Sequence, residues 1–277
     1  SSILAQTYGS YEFLIIDDGS TDGTSEILSK FSAIDSRIIN IRNERNCGIS
    51  HSLNMGLEIA KGRYVARMDA DDVAHRSRFE KQLKKFGTTN DLVLCGTNAM
   101  YVNQRLVPLW ATFLPLSDWD IRTIFPFENP FAHPTIMMKK EVVLAIGGYD
   151  VIYETTQDYE LWGRMLQEGR ACNLDSVCVY IRRHKRSVSA QKSHIQKENT
   201  IRVQKLYVSQ FLEPSCASEN SFCNFGGVTL YPQQKKRVNK FIALSTIEAT
   251  LNLLSSIVVA YPMKPNRRVI GYVIGRC

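Results

Sequence analysis

A short, wholly apolar run, Phe13-Leu14-Ile15-Ile16, ends abruptly in Asp17-Asp18-Gly19-Ser20 and is followed by helical spacing at Ile27, Leu28, Phe31 and Ile34. Such a run reads as a strand buried on both faces, and strand, polar loop and helix form the unit of an open α/β sheet. The unit repeats. Ile38-Ile39-Asn40-Ile41 predicts a second strand, Ser50 an N-cap, and Leu53, Leu57 and Ala60 one helical stripe that Gly62 ends. A third strand over 64–68 runs into Asp69-Ala70-Asp71-Asp72. Carboxylates that follow buried strands belong at the carboxyl edge of the sheet, where open α/β folds hold ligands, so the stations at 17–18 and 69–72 are expected to converge.

The chemistry of these acids is specific only in combination. Asp-x-Asp suits a divalent cation carrying a diphosphate, and an acid after a strand accepts from a nucleobase N–H or a ribose hydroxyl. Alone, the 69–72 cluster reads equally as a solvated acidic turn, and Asp17-Asp18 as a turn and cap, because Asp22-Gly23 is itself a turn signal. A third acidic station is Asp158-Tyr159-Glu160.

Beyond the cluster, Phe79, Leu83 and Phe86 mark a helix and Leu92-Val93-Leu94-Cys95 a strand. Residues 98–114 read as a hairpin or irregular insertion, Ser117 to Phe125 as a capped helix and Thr135 to Met138 as a strand. A short helix stops at Gly147-Gly148, an amphipathic helix spans Tyr159 to Leu166, and a strand at 177–181 with a helix near 190–212 closes the main domain. The expected division is a domain over 1–212, a Ser-, Asn- and Gly-rich boundary over 213–232, and a basic helical extension over 233–277. Within the extension, Phe241 to Tyr261 is long enough to span a bilayer, but Glu248 and Asn252 interrupt it, which favours an interfacial or packed helix.

At 277 residues and 44% hydrophobic content the chain can bury a sizeable core. Its seven cysteines are scattered and never form Cys-x-x-Cys, so reduced cytosolic thiols are expected and a zinc site is not. The net charge of +7 conceals an asymmetry: residues 180–277 hold 16 Lys/Arg against 4 Asp/Glu, whereas residues 1–179 carry 18 against 23. The basic part suits an anionic membrane surface or a lipid-phosphate acceptor, or is a solvated tail with no partner. A nucleic-acid partner is not expected, because no zinc knuckle, recognition-helix pattern or aromatic-basic RNA motif is present.

The ordered set Asp17-Asp18-Gly19-Ser20-Thr21-Asp22-Gly23-Thr24, Asn46-Cys47-Gly48-Ile49-Ser50 and Met68-Asp69-Ala70-Asp71-Asp72 resembles the family 2 glycosyltransferases. His133-Pro134-Thr135, Gly147-Gly148-Tyr149, Thr156-Gln157-Asp158-Tyr159-Glu160-Leu161-Trp162 and Arg182-Arg183-His184 continue the likeness in the same order, over roughly residues 1–190. The resemblance implies a Rossmann-like GT-A fold, mostly parallel in its central sheet and flanked by helices, and an inverting transfer of sugar from a UDP- or dTDP-sugar to a glycan or lipid-linked acceptor. By the same resemblance Asp17 is the uracil-binding acid, with Asp18 and Asn46 beside it in the donor site. Asp69 contacts the ribose or base, Asp71 holds Mg²⁺ or Mn²⁺, His184 approaches the metal or diphosphate, and Asp158 is the general base. Asp72 is expected to cap the following helix, Glu160 to orient neighbouring groups, and His133 to be either an acceptor wall or a buried imidazole. Trp110, Trp119 and Trp162 are expected in the core rather than against sugar.

One departure bears on activity. Family members begin with a strand and a nucleotide-contacting loop, followed by a helix that ends in something like Ser2-Ile3-Leu4-Ala5-Gln6-Thr7-Tyr8, and this chain starts inside that helix. Loss of that strand would leave its neighbours with unpaired backbone groups. A fragment of a longer protein is the expected explanation, with an inactive or binding-only relative as the alternative. The implied setting is the cytosolic face of a bacterial membrane, in cell-envelope polysaccharide assembly.

Overall fold

The computed structural model describes residues 2–183 and 193–211, with the backbone of three later strands. The elements run β1 (Tyr11–Asp17), α1 (Thr24–Ile34), β2 (Ile38–Arg42), α2 (Ile49–Ile59), β3 (Tyr64–Asp69), β4 (Val73–Ala74), α3 (Arg78–Thr88), β5 (Leu92–Val102) and β6 (Pro108–Ala111). After them come α4 (Asp118–Ile124), a 3-10 turn at His133–Thr135, β7 (Met137–Lys139), α5 (Lys140–Ala145), α6 (Gln157–Glu168), β8 (Arg170–Arg182), α7 (Ser193–Phe211), β9 (Cys223–Phe225), β10 (Val228–Leu230) and β11 (Val269–Gly275). The central sheet is ordered β2-β1-β11-β3-β7-β5-β8-β4, with β6 paired to β5.

The sheet is mixed, which corrects the mostly parallel expectation. Neighbours pair in parallel at β1–β2 and β5–β8, whereas β7 and β11 each run against both of their neighbours and β4 runs against β8. Taken through these pairings, β1, β2, β3, β5 and β8 still share one direction. Their carboxyl ends therefore lie along one edge, and that edge receives Asp17, Asp69 and the turn after β3.

The unpaired edges expected between β1 and β3 are absent. β11 lies between them, with Val269 in register with Asp17 and Ile270 with Asp69. Residues 269–275 are thus a sheet strand and not part of a helical extension, and β9 with β10 makes a two-stranded ribbon inside the expected boundary at 213–232. The segment 241–261 lies outside the described residues. No described helix is long and apolar enough to cross a membrane.

Periodicity placed most helices correctly. Ser117 caps α4 by accepting from the Asp120 N–H, and the hairpin expected over 98–114 is β5 with β6. At α2 the cap position is held by Gly48, at φ +93°, and Ser50 lies inside the helix; Ala60 closes it, before Gly62. The main core packs α2, α5 and α6 against the sheet through Leu53, Leu57, Val143, Leu161, Trp162 and Met165. By contrast α1 buries none of its residues, and a cavity of about 210 Å³ is lined by its Ile27, Leu28 and Phe31 together with Phe13 and Ile15 of β1.

Gly163 marks the closest approach of α6 to α7: a Cβ there would stand 1.8 Å from Cζ of buried Tyr207, whose hydroxyl donates to the Glu160 carbonyl at 3.3 Å. Helix propensity favours alanine over glycine by about 1 kcal/mol, but displacing a packed aromatic costs more. Gly163→Ala is expected to lower stability by about 2 kcal/mol net, read from urea unfolding.

Candidate functional site

β1 delivers Asp17 to the sheet edge almost fully buried. Its carboxylate accepts from the Ser20 N–H at 2.8 Å and the Ser25 hydroxyl at 2.9 Å, with the Arg42 guanidinium 3.8 Å away. Burial alone would raise its pKa. The Ser20 and Ser25 hydrogen bonds and Arg42 outweigh that, and Asp17 lies below the ordinary carboxylate value.

Asp18 is spent on the neighbouring loop. It accepts from Asn43 Nδ2 at 2.8 Å and from the backbone N–H groups of Cys47 and Gly48 at 2.9 and 3.0 Å. That clamp draws residues 43–48 over Gly19, which sits at φ +75° with the Arg45 backbone 2.7 Å from where a Cβ would stand. Only glycine satisfies both demands there. Asn46, on the outer side of the loop, is exposed.

At the end of β3 the controlling residue is Arg67. Residues two apart on a strand share a face, so Arg67 reaches Asp69 directly. Nη1 and Nη2 donate to the two carboxylate oxygens at 2.7 and 2.5 Å, a forked pair in which the arginine is 3% and the acid 35% exposed. Burial raises the Asp69 pKa, with Arg67 opposing and Asp71 adding to the rise. Asp72 is raised further, by burial and then by Asp69 and Asp71.

Asp72 does not cap a helix. The N-cap of α3 is Ser77, whereas Asp72 accepts from the Arg182 backbone N–H of β8 at 2.8 Å, because β4 pairs with β8 at this point. Arg182 also donates from Nε to the Asp71 carbonyl at 2.8 Å, fixing the backbone of the Asp-x-Asp turn. His184 lies outside the described residues.

Asp158 stands in the first turn of α6, partly buried. Burial raises its pKa, while the Tyr159 backbone N–H, Asn129 and Arg67 hold the rise back. Arg67 thus acts electrostatically on Asp69, Asp72 and Asp158 alike. His133 and Tyr149 complete this wall, with His133 Nε2 and Tyr149 Oη 2.9 Å apart. Burial, assisted by Arg67, holds His133 well below its ordinary pKa, so it is a neutral, hydrogen-bonded imidazole.

Glu160 forks onto Arg164, which donates to the carbonyls of Ile146 and Gly148 and so shapes the glycine turn before Tyr149. Trp162 is fully buried against Phe131 and His133, and Trp110 stacks on Tyr101 under the Arg183 guanidinium. Neither indole is a free sugar platform. Sequence reasoning passed over Arg67 and Asn129. The signal for Arg67 was its two-residue spacing from Asp69; Asn129 had none, because its partner lies 29 residues away.

Among the described residues no three His, Cys, Asp or Glu side chains enclose an ion site. The cluster nevertheless concentrates negative charge: Asp71 adds to the rise of the Asp69 pKa, Asp69 and Asp71 add to that of Asp72, and Asp72 Oδ2 is buried with no hydrogen-bond partner. That donor set fits a cation whose remaining ligands come from a bound diphosphate. Among the described residues Cys47, Cys95, Cys172 and Cys178 are free thiols.

Comparison with known proteins bears on the family and the fold. The sequence pattern of Glycosyl transferase family 2 matches residues 1–146. The O-antigen biosynthesis glycosyltransferase WbnJ of Escherichia coli is 35% identical over 196 residues, covering 69% of this chain and 75% of that protein. The Escherichia coli protein WfaP, a UDP-Glc:alpha-D-GlcNAc-diphosphoundecaprenol beta-1,3-glucosyltransferase, is 33% identical over 192 residues, covering 69% and 73%. The mannosyltransferase PcManGT of Pyrobaculum calidifontis, solved with GDP-Man and Mn²⁺, superposes with a TM-score of 0.57 at 15% identity over 94% of this chain and 75% of that one, a likeness of fold.

Breaking the Arg67–Asp69 pair leaves a charge stranded at a mostly buried position, which for a fully buried pair costs about 3–5 kcal/mol. Because Asp69 is 35% exposed, Arg67→Met is expected to cost nearer 2 kcal/mol. Arg67→Met with Asp69→Asn should recover part of that loss in a double-mutant cycle read by chemical denaturation.

Proposed function

The chain belongs to glycosyl transferase family 2 and is a glycosyltransferase, and from that premise we propose an inverting transfer from a UDP- or dTDP-sugar to a glycan or lipid-linked hydroxyl. What supports the reading is that β1 and β3 deliver Asp17 and Asp69 to one sheet edge, and that Arg67, paired with Asp69, also acts electrostatically on Asp158. Inversion is a single displacement, so one carboxylate must take the acceptor proton on the face opposite the leaving diphosphate. Asp158 is assigned that role. Its burial supports it, since a carboxylate of raised proton affinity is a stronger base.

Asp17, held ionised by Ser20 and Ser25, suits the N3–H of uracil or thymine, and Asp69 the ribose. Asp18 acts through the 43–48 loop, placing Asn46 at the rim. Asp71, with His184 by resemblance, would hold Mg²⁺ or Mn²⁺, and the bound metal would neutralise charge on the leaving diphosphate. Two similarities support the donor and acceptor classes: WfaP is named for a UDP-sugar and a diphosphate-linked lipid acceptor, and WbnJ for polysaccharide assembly. A lipid acceptor would bring the protein to the inner membrane surface, where the basic balance of residues 180–277 suits an anionic leaflet.

UDP release is followed across a panel of UDP- and dTDP-sugars with a synthetic GlcNAc-diphospholipid. Asp158→Asn is expected to lose at least about a thousandfold in kcat, within the range of a missing general base, while retaining nucleotide binding by calorimetry. Near-normal turnover by that variant overturns the assignment. The base works only when ionised, so kcat/KM should fall as pH drops through a pKa above the ordinary aspartate value, a direction set by burial. Chelation by EDTA should abolish turnover and Mn²⁺ restore it, and Asp71→Ala should weaken Mn²⁺-dependent UDP binding at least about tenfold, measured by titration calorimetry.

A further inference from the structure

Asn129 donates from Nδ2 to Asp158 Oδ2 at 3.0 Å. The orientation of its amide is fixed, because the Phe131 N–H donates to Asn129 Oδ1 at 3.2 Å and turns the NH₂ group toward the carboxylate. We infer that Asn129 is a positioning residue that fixes the rotamer and protonation of Asp158, and the inference rests on the reading of Asp158 as the base.

The segment bearing Asn129 has no regular secondary structure, and tertiary contacts pin it on each side. The Tyr159 hydroxyl, one residue from Asp158 on α6, donates to the Phe125 carbonyl. Gln204 Nε2 on α7 donates to the Phe127 carbonyl at 2.5 Å, and Asn173 Nδ2 on β8 donates to the Pro130 carbonyl at 3.0 Å. Asn173 fits there because position 96 is glycine: a Cβ on Gly96 would stand 2.0 Å from Asn173 Oδ1. A loop anchored at 125, 127 and 130 holds residue 129 still. The base and its partner are thus referenced to the same helix, since α6 supplies both Asp158 and the Tyr159 anchor.

The chemical consequence follows from occupancy. A carboxylate oxygen accepts along more than one lone pair, so with Asn129 on Oδ2 and the Tyr159 backbone N–H on the carboxylate, the remaining lone pairs are those available to an acceptor hydroxyl. A hydrogen bond to the ionised form favours that form, so Asn129 also opposes the effect of burial on Asp158. The other groups that face Asp158 electrostatically are Arg67 of β3, Tyr149 after α5 and Tyr159 of α6, and substituting Asn129 leaves all three in place.

The deciding experiment titrates side-chain carboxyl ¹³C resonances of the 277-residue protein, with the Asp158 signal assigned by its disappearance in Asp158→Asn. In Asn129→Ala that titration is expected to move upward by about one pH unit, the scale of one lost hydrogen bond to a charged group. Asn129→Leu, which preserves volume, should give the same shift where the alanine variant is poorly folded. An Asp158 titration unmoved in folded variants overturns the inference, even where the melting temperature falls, because a merely structural asparagine changes stability without changing this carboxyl. The readout needs no donor or acceptor, so its failure is distinct from failure of the catalytic reading, which full turnover by Asp158→Asn would reveal. In the assay with the GlcNAc-diphospholipid, the acid limb of kcat/KM should move in the same direction as the carboxyl titration.

Discussion

The forked ion pair between Arg67 and Asp69 sets the electrostatics at the end of β3, with an influence that extends to Asp72, His133 and Asp158. A guanidinium this deeply buried needs its charge matched, and although Arg67 Nε is buried without a hydrogen-bond partner, both terminal nitrogens are paired. Asp69 supplies the match at 2.5 and 2.7 Å, and the same cation opposes the effect of burial on Asp72 and Asp158 and adds to burial in lowering the pKa of His133. Arg67 thus tempers the rise in pKa that burial imposes on Asp69, Asp72 and Asp158.

A second buried arginine holds that arrangement in place. Arg78, fully buried on α3, donates to the carbonyls of Arg67 and Ile136 at 2.8 and 3.0 Å and to Gln82 at 3.1 Å. Gln82 in turn donates to the carbonyls of Cys95 and Thr135 at 2.7 and 2.9 Å. Burial pulls the Arg78 pKa down to about 10, which still leaves it protonated at neutral pH. Through these contacts α3 fixes the end of β3, the middle of β5 and the His133–Thr135 turn relative to one another. Asp69 and His133 therefore share one reference in α3.

Much of this was legible in the chain. Apolar runs ending in acids located β1 and β3 and placed Asp17 and Asp69 at one edge, because a strand buried on both faces has a pattern of its own. Helical spacing found α2, α3 and α6. The reading missed where long-range pairing overrode local pattern. Asp72 has the local signature of a cap but is taken by the Arg182 backbone 110 residues later, and Ser50 is displaced from the cap by Gly48 at positive φ. The sheet is mixed because β7 and β11 insert against their neighbours, and strand direction leaves no trace in composition.

The sequence by itself determined the order of the acidic stations, the α/β class and the family, since each depends on residues close together along the chain or on motifs in series. Tertiary structure alone decided what those acids experience. Arg67 couples Asp69 to Asp158, Asp18 serves the 43–48 loop, and Asn129 reaches Asp158 across 29 residues. Burial, hydrogen-bond partners and neighbouring charge fix proton affinity, and all three arise only when distant segments close on one another.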